Sequence, residues 1–206
     1  MKYLELRNKL SDFIIFSVND VKKIDKSSNC LRRIYEWKEK GYIKKVIKGF
    51  YIFSDLELNE LILFTIANQI YKPSYVSLEM ALSYYHLIPE SIYAITSITS
   101  RKTNQFTTPF CTFYYHSVKS SLMFGYKLVQ YRNQVFKIAE PEKAFLDYFY
   151  IKPHLNDNED FEELRIDKQN FSTLVSKNKM NKYLKIINNK ALSQRVNKFM
   201  EYMKNA

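Results

Sequence analysis

Asn29, Arg32, Arg33 and Glu36 stand at spacings that a helix gathers on one face, with Cys30, Ile34 and Trp37 on the other and Leu31 flanking them. An arginine fork matches the O6 and N7 acceptors of guanine, and an asparagine amide pairs with adenine. Such a set is what a helix lying in a DNA major groove would carry. Ser28 at the head of the segment, with Lys22, Lys23 and Lys26 before it, adds donors suited to the backbone of a duplex. Lys44, Lys45 and Lys48 follow and would meet the flanking phosphates, which supply affinity and register while the helix reads sequence.

Holding these side chains in place takes a run of small elements. Tyr3, Leu6, Leu10 and Phe13 make a helical stripe, and Ser17 with Asp20 three residues on opens a short helix over 18–24 through a capping box. The DKSSN stretch at 25–29 reads as a turn whose Ser27 or Ser28 caps a third helix running to about Lys40. Gly41 is placed to stop it. The run YIKKVIKGFYIF, residues 42–53, reads as a hairpin turning at Gly49. Three helices and then a basic hairpin is the order of a winged helix-turn-helix, assigned to residues 1–54 as a DNA-binding domain.

The remainder is expected to be a mixed α/β domain over 55–153 and a helical C-terminal extension over 154–206 packing on it, making the whole chain α+β. A long apolar helix runs from Asp55 to Lys72-Pro73, and a helix capped by Ser77 closes at Pro89. Segments 92–99, 110–116, 122–131 and 135–139 are rich in β-branched and aromatic residues and predict a small sheet. Pro141 starts a further helix, and NDNED at 156–160 is a polar loop before the last amphipathic helices.

Net charge is +11 and uneven: 13 bases against 6 acids in residues 1–54, 9 against 8 in 55–153, and 10 against 7 in 154–206. From Lys177 onward there are 8 bases and the single acid Glu201. Positive ends and a near-neutral middle suit a polyanion partner. Three glycines are too few for any phosphate-cradling glycine loop, and Cys30 and Cys111 match no zinc or redox spacing, so two buried thiols and no cofactor or metal are expected. With no signal-like or membrane-span apolar run at the N-terminus, the expected location is the cytoplasm, with no membrane partner.

Catalytic groups are present in number: Ser77, Glu79, His86, Ser97, Arg101, Lys102, His116, Lys119, Glu140, Glu142 and Lys143. Each has a plain alternative, such as Ser77 as a helix cap, Glu142 as a first-turn partner of the helix dipole, and His116 as part of an aromatic strand with Tyr114 and Tyr115. A metal-dependent nuclease would want Glu-x-Lys on a strand. The chain offers it only at Glu36-Trp37-Lys38, inside an expected helix, so the protein is not read as an enzyme.

With these residues assembled, the chain resembles the AbiEi family of antitoxins from type IV toxin–antitoxin (abortive infection) systems over about residues 1–150. The resemblance is carried by EKGYIKKVIKGFYIF, by YVSLEMALSYYHLIPESIYAITSITSRK, and by IAEPEKAFLDYFY. It implies a transcriptional repressor that binds its own operator DNA and a second domain needed for antitoxicity, the functional partner being a nucleotidyltransferase-like toxin. It does not imply a stable complex with that toxin. Residues 154–206 depart from the family pattern except in being helical. A homodimer on an inverted repeat fits this class of repressor. Two alternatives stay open: a protein-interaction module that grips the toxin directly, and the nuclease.

Overall fold

The computed structural model describes residues 1–89 and 94–205. Helix α1 (Tyr3–Lys9) leads to a two-residue strand β1 (Phe16–Ser17) and helix α2 (Val18–Ile24). Ser17 Oγ accepts the Asp20 amide at 3.2 Å while Asp20 Oδ2 accepts the Ser17 amide at 2.8 Å, the reciprocal cap expected from the sequence. Helix α3 (Cys30–Glu39) and strands β2 (Ile43–Ile47) and β3 (Phe50–Phe53) follow, and the three strands pair antiparallel in the order β1-β3-β2. Gly41 just past α3 and Gly49 in the hairpin turn adopt φ of +72° and +86°, where a side chain is strained. Leu6, Leu10, Phe16, Val21, Cys30, Ile34, Trp37, Ile43 and Phe53 form a core of their own.

The second part begins with α4 (Glu60–Ile70), β4 (Ser74–Val76), α5 (Leu78–Tyr84) and β5 (Ala94–Thr99), then β6 (Asn104–Thr107), β7 (Thr112–Ser117), β8 (Tyr126–Tyr131) and β9 (Gln134–Ala139). The six strands lie in the order β6-β7-β5-β4-β9-β8, mixed in direction, with β5 parallel to β7 and β4 parallel to β9. One face packs on α4, where Phe64 meets Phe136 at 5.5 Å between centroids and Tyr115 donates to the Ala67 carbonyl at 2.7 Å. The other is covered by α5 and by α6 (Pro141–Ile151), which Pro141 opens as expected.

Four helices follow among the described residues: α7 (Asn158–Glu163), α8 (Lys168–Leu174), α9 (Lys177–Ile187) and α10 (Lys190–Asn205). Phe199 of α10 sits among Phe149, Phe161, Phe145 and Phe171 at 5.1 to 5.6 Å between centroids, so these helices share the larger core. That core also takes in Ile14, Ile15, Val46 and Ile52 from the first part.

Several sequence expectations are corrected. The helix expected from Asp55 begins at Glu60, because Asn59 accepts the Ile62 amide at 3.0 Å and caps it there. Strands β4 and β6 were not expected: β4 is three residues long, and β6 is a largely exposed edge with the polar sequence NQFT. The expected strand 122–131 is a short 3-10 turn over Ser120–Leu122 and then β8. Ile92 and Tyr93, expected at the start of a strand, lie outside the described residues.

The layers are pinned by a buried polar cluster. Lys143 of α6, 1% exposed, donates to Tyr75 Oη at 2.7 Å and to Asp147 Oδ1. Tyr75 and Ser77 donate to Asp147 Oδ2 at 2.9 and 2.8 Å. The Ser77 hydroxyl is spent there, and it does not cap α5 as expected. Removing one member of a buried ion pair leaves an uncompensated charge at a cost of about 3–5 kcal/mol. Asp147→Ala should therefore lower the unfolding free energy by roughly that amount, and the double replacement Lys143→Met with Asp147→Leu should recover most of it. Urea titrations of the two variants check both outcomes.

Candidate nucleic-acid interface

Helix α3 buries Cys30, Ile34 and Trp37, as the spacing required. Its outward face carries Arg32, Leu31 at 56% exposed and Tyr35 at 62%. Both of these large apolar side chains therefore stand in water, although the sequence reading put Leu31 beside the core and passed over Tyr35. The signal lay in the helical wheel: at about 100° per residue, Tyr35 falls about 130° from the centre of the buried stripe. Lys38 Nζ stands 5.2 Å from the Tyr35 ring centroid. Arg32 Nε donates to Glu36 Oε1 at 2.8 Å, an exposed i,i+4 pair screened by water and so easily exchanged for another partner.

Arg33 is differently placed. The same wheel sets it about 70° from the buried stripe, and its Nη1 donates to Asp25 Oδ2 at 2.6 Å. Asp25 is 7% exposed and also accepts the Ser27 amide at 3.2 Å. Burial alone would raise the Asp25 carboxyl, but the bonds from Ser27 and the Arg33 guanidinium outweigh it and hold the group below the usual carboxylate range. This pair ties the 25–29 turn to α3.

Neither Ser27 nor Ser28 caps α3 through its side chain. Asn29 takes the cap position with no side-chain bond, its carbonyl accepts the Arg33 amide at 3.0 Å, and the Ser27 carbonyl accepts the Cys30 amide at 3.2 Å. Ser28 and Asn29 are left exposed at the head of the helix, as are Lys22, Lys23 and Lys26 beside it. Lys44, Lys45 and Lys48 are exposed on the hairpin that follows α3, and the register shifts between Lys45 and Ile47, the mark of a β-bulge. An aromatic group of Tyr3, Trp37, Tyr42 and Phe53 braces the helix against the hairpin, with Tyr3 and Tyr42 centroids 4.6 Å apart.

The groups weighed for catalysis are dispersed. Ser77 and Lys143 meet in the buried cluster, and Ser97 is buried within the sheet. Glu140 is bonded by Lys179 at 3.0 Å and by the Tyr183 hydroxyl, and Glu142 accepts the Ser176 amide at 2.9 Å, so both serve to fasten α9 to α6. Arg101 stacks on Tyr71 at 4.2 Å, Lys102 and Lys119 are exposed, and His86 ends α5 with φ +55°. Glu79 and His116 line one pocket. Cys30 is buried and Cys111 half-buried, the latter's thiol pushed up to about 12 by burial. No helix among the described residues is long and apolar enough to cross a membrane. The sequence matches no family model, and no curated protein is significantly similar to it.

Replacing Arg33 strands a buried carboxylate. Arg33→Ala should cost about 1–3 kcal/mol at neutral pH. Because the Asp25 carboxyl is depressed in the folded protein, its stabilising contribution is present above the unfolded value near 4 and is lost as pH falls through the folded one. The deficit of Arg33→Ala should accordingly shrink in acid, which parallel denaturant titrations at neutral and acidic pH would register. A deficit independent of pH would remove the ion pair as its cause.

Proposed function

We propose that residues 1–54 act as a winged helix-turn-helix that binds duplex DNA, with α3 in the major groove and the β2–β3 hairpin as the wing. The observation that carries the reading is one arrangement: a helix whose exposed face holds Leu31, Arg32, Tyr35 and Glu36, followed directly by a hairpin exposing Lys44, Lys45 and Lys48. In the proposed complex Arg32 and Asn29 read base edges, Leu31 meets thymine methyl groups, and Tyr35 and Ser28 bond phosphates. Arg33 gives its charge to the site while its fork remains with Asp25. Lys44, Lys45 and Lys48, with Lys22, Lys23 and Lys26, contact the flanking backbone.

The wider proposal is a transcriptional autorepressor and antitoxin of a type IV toxin–antitoxin system. It rests on the three AbiEi-like motifs quoted above and on the DNA reading. The partners are then operator DNA and, functionally, a nucleotidyltransferase-like toxin. Two of those motifs supply Tyr75, Ser77, Lys143 and Asp147, the members of the buried cluster, so the resemblance there concerns how the domain is held together.

Selection of binding sites by the full chain from a pool of random duplexes, followed by a salt titration on the enriched sequence, tests the proposal. Lys44→Gln, Lys45→Gln and Lys48→Gln together should weaken binding evenly across sequences and flatten the salt slope by about one per lysine removed. Arg32→Ala should cost about 1–3 kcal/mol and relax the preference at one position. Failure to enrich any sequence, with affinity unaltered by the triple substitution, would sink the DNA-binding reading.

A further inference from the structure

Helices α5 and α6 do not cover their face of the sheet completely. Where α6 ends, a pocket of about 610 Å³ opens between β5 and β7, the first turn of α5, the last turn of α6 and residues 163–166. Leu78, Leu82, Ile151 and Ile166 contribute aliphatic wall and Tyr114 and Tyr148 contribute rings. The size lies within the range of small-molecule sites, which are mostly apolar with a few polar groups gathered to fix orientation.

The polar groups here are gathered in that way. Lys152 Nζ lies 2.6 Å from Glu79 Oε1 and donates to the Tyr148 hydroxyl at 2.9 Å. The Lys152 ammonium has a third N–H, and the Glu79 carboxylate has lone pairs beyond those that one ammonium engages. The pair thus offers a donor and an acceptor side by side at the edge of an apolar space. His116, lining the same pocket, is pushed below the usual imidazole range by burial, so it presents a neutral ring there.

We propose that this pocket binds a small, uncharged, largely apolar molecule whose polar edge carries an acceptor beside a donor, as an amide or lactam does. The charge balance selects against anions. Lys152 is already compensated by Glu79, and Glu163 also lines the pocket, so an anionic ligand would meet two carboxylates. A cation bonding to the pair would set its charge directly beside the Lys152 ammonium. A neutral amide edge satisfies both members of the pair without breaking it. None of these residues belongs to the proposed DNA-binding unit, so the inference stands independently of that reading.

Ligand-observed NMR on the full chain with two probes, the neutral bicyclic lactam quinolin-2-one and the anion quinoline-2-carboxylate, tests the proposal. The lactam should bind with a Kd at or below about 1 mM, and the carboxylate at least about tenfold more weakly. Ala94→Trp, which fills the space from β5, should weaken the lactam about tenfold or more while the unfolding midpoint is kept. Lys152→Met should do the same by removing the donor, and it carries the test alone should Ala94→Trp fail to fold. The proposal is overturned by a lactam that does not bind at about 1 mM, by a carboxylate that binds as well, or by lactam affinity unchanged in a folded variant.

Discussion

A lysine and an aspartate shut away from water hold each other's charge in place, and in this protein they do so across layers of the fold. Lys143 and Asp147 are one turn apart on α6. Their remaining bonds go to Tyr75 at the middle of β4 and to Ser77 just before α5. Strand, helix entry and covering helix are therefore set by one group of four side chains. Gly125 takes part from outside: a Cβ there would lie 3.0 Å from Lys143 Cγ and 3.1 Å from Tyr183 Cε2, at φ +69°. The neighbouring N-terminus of α6, with Glu140 and Glu142, then fastens α9, so the basic C-terminal helices are anchored to the end of the same helix.

The N-terminal unit follows a different logic. Its own core is small, with three aromatic rings among aliphatic side chains, and it leaves α3 with a wide outward face. A single buried ion pair, Asp25 with Arg33, fixes the turn from which that helix departs. Charge is thus used inwardly at one position and left outward at the next, Arg32, on adjacent residues of the same type. The difference is the angle at which each leaves the helix axis.

Much of this was legible in residue order. The 3–4 spacing of Cys30, Ile34 and Trp37, the Ser17–Asp20 cap, Gly41, Gly49 and Pro141 each act locally, and local chemistry can be read along the chain. The exposed lysines of the hairpin were legible for the same reason. What escaped depends on partners distant in sequence. Lys143 read only as one of several scattered candidate catalytic groups because its oxygen partner Tyr75 is 68 residues away. Ser77 looked like a cap because the Asp147 that takes its hydroxyl is 70 residues on. Strand β6 was hidden by its polar edge composition and β4 by its brevity. Tyr35, by contrast, was within reach of the helical wheel, which sets it well away from the buried stripe.

The β2–β3 hairpin belongs to both cores at once. Ile43 and Phe53 are packed in the small core, whereas Val46 and Ile52 are packed in the large one. The hairpin is therefore a party wall, and two tenants share its load. Asn133 and Gln134, at the start of β9, grip Asp12 from the larger side, adding a second point of attachment. A displacement inside the large core would reach the lysine-bearing strand through Val46 and Ile52 without passing through a flexible linker. The N-terminal unit is in this sense a fitting built into the body's frame, and the pitch of its basic hairpin is set by the frame.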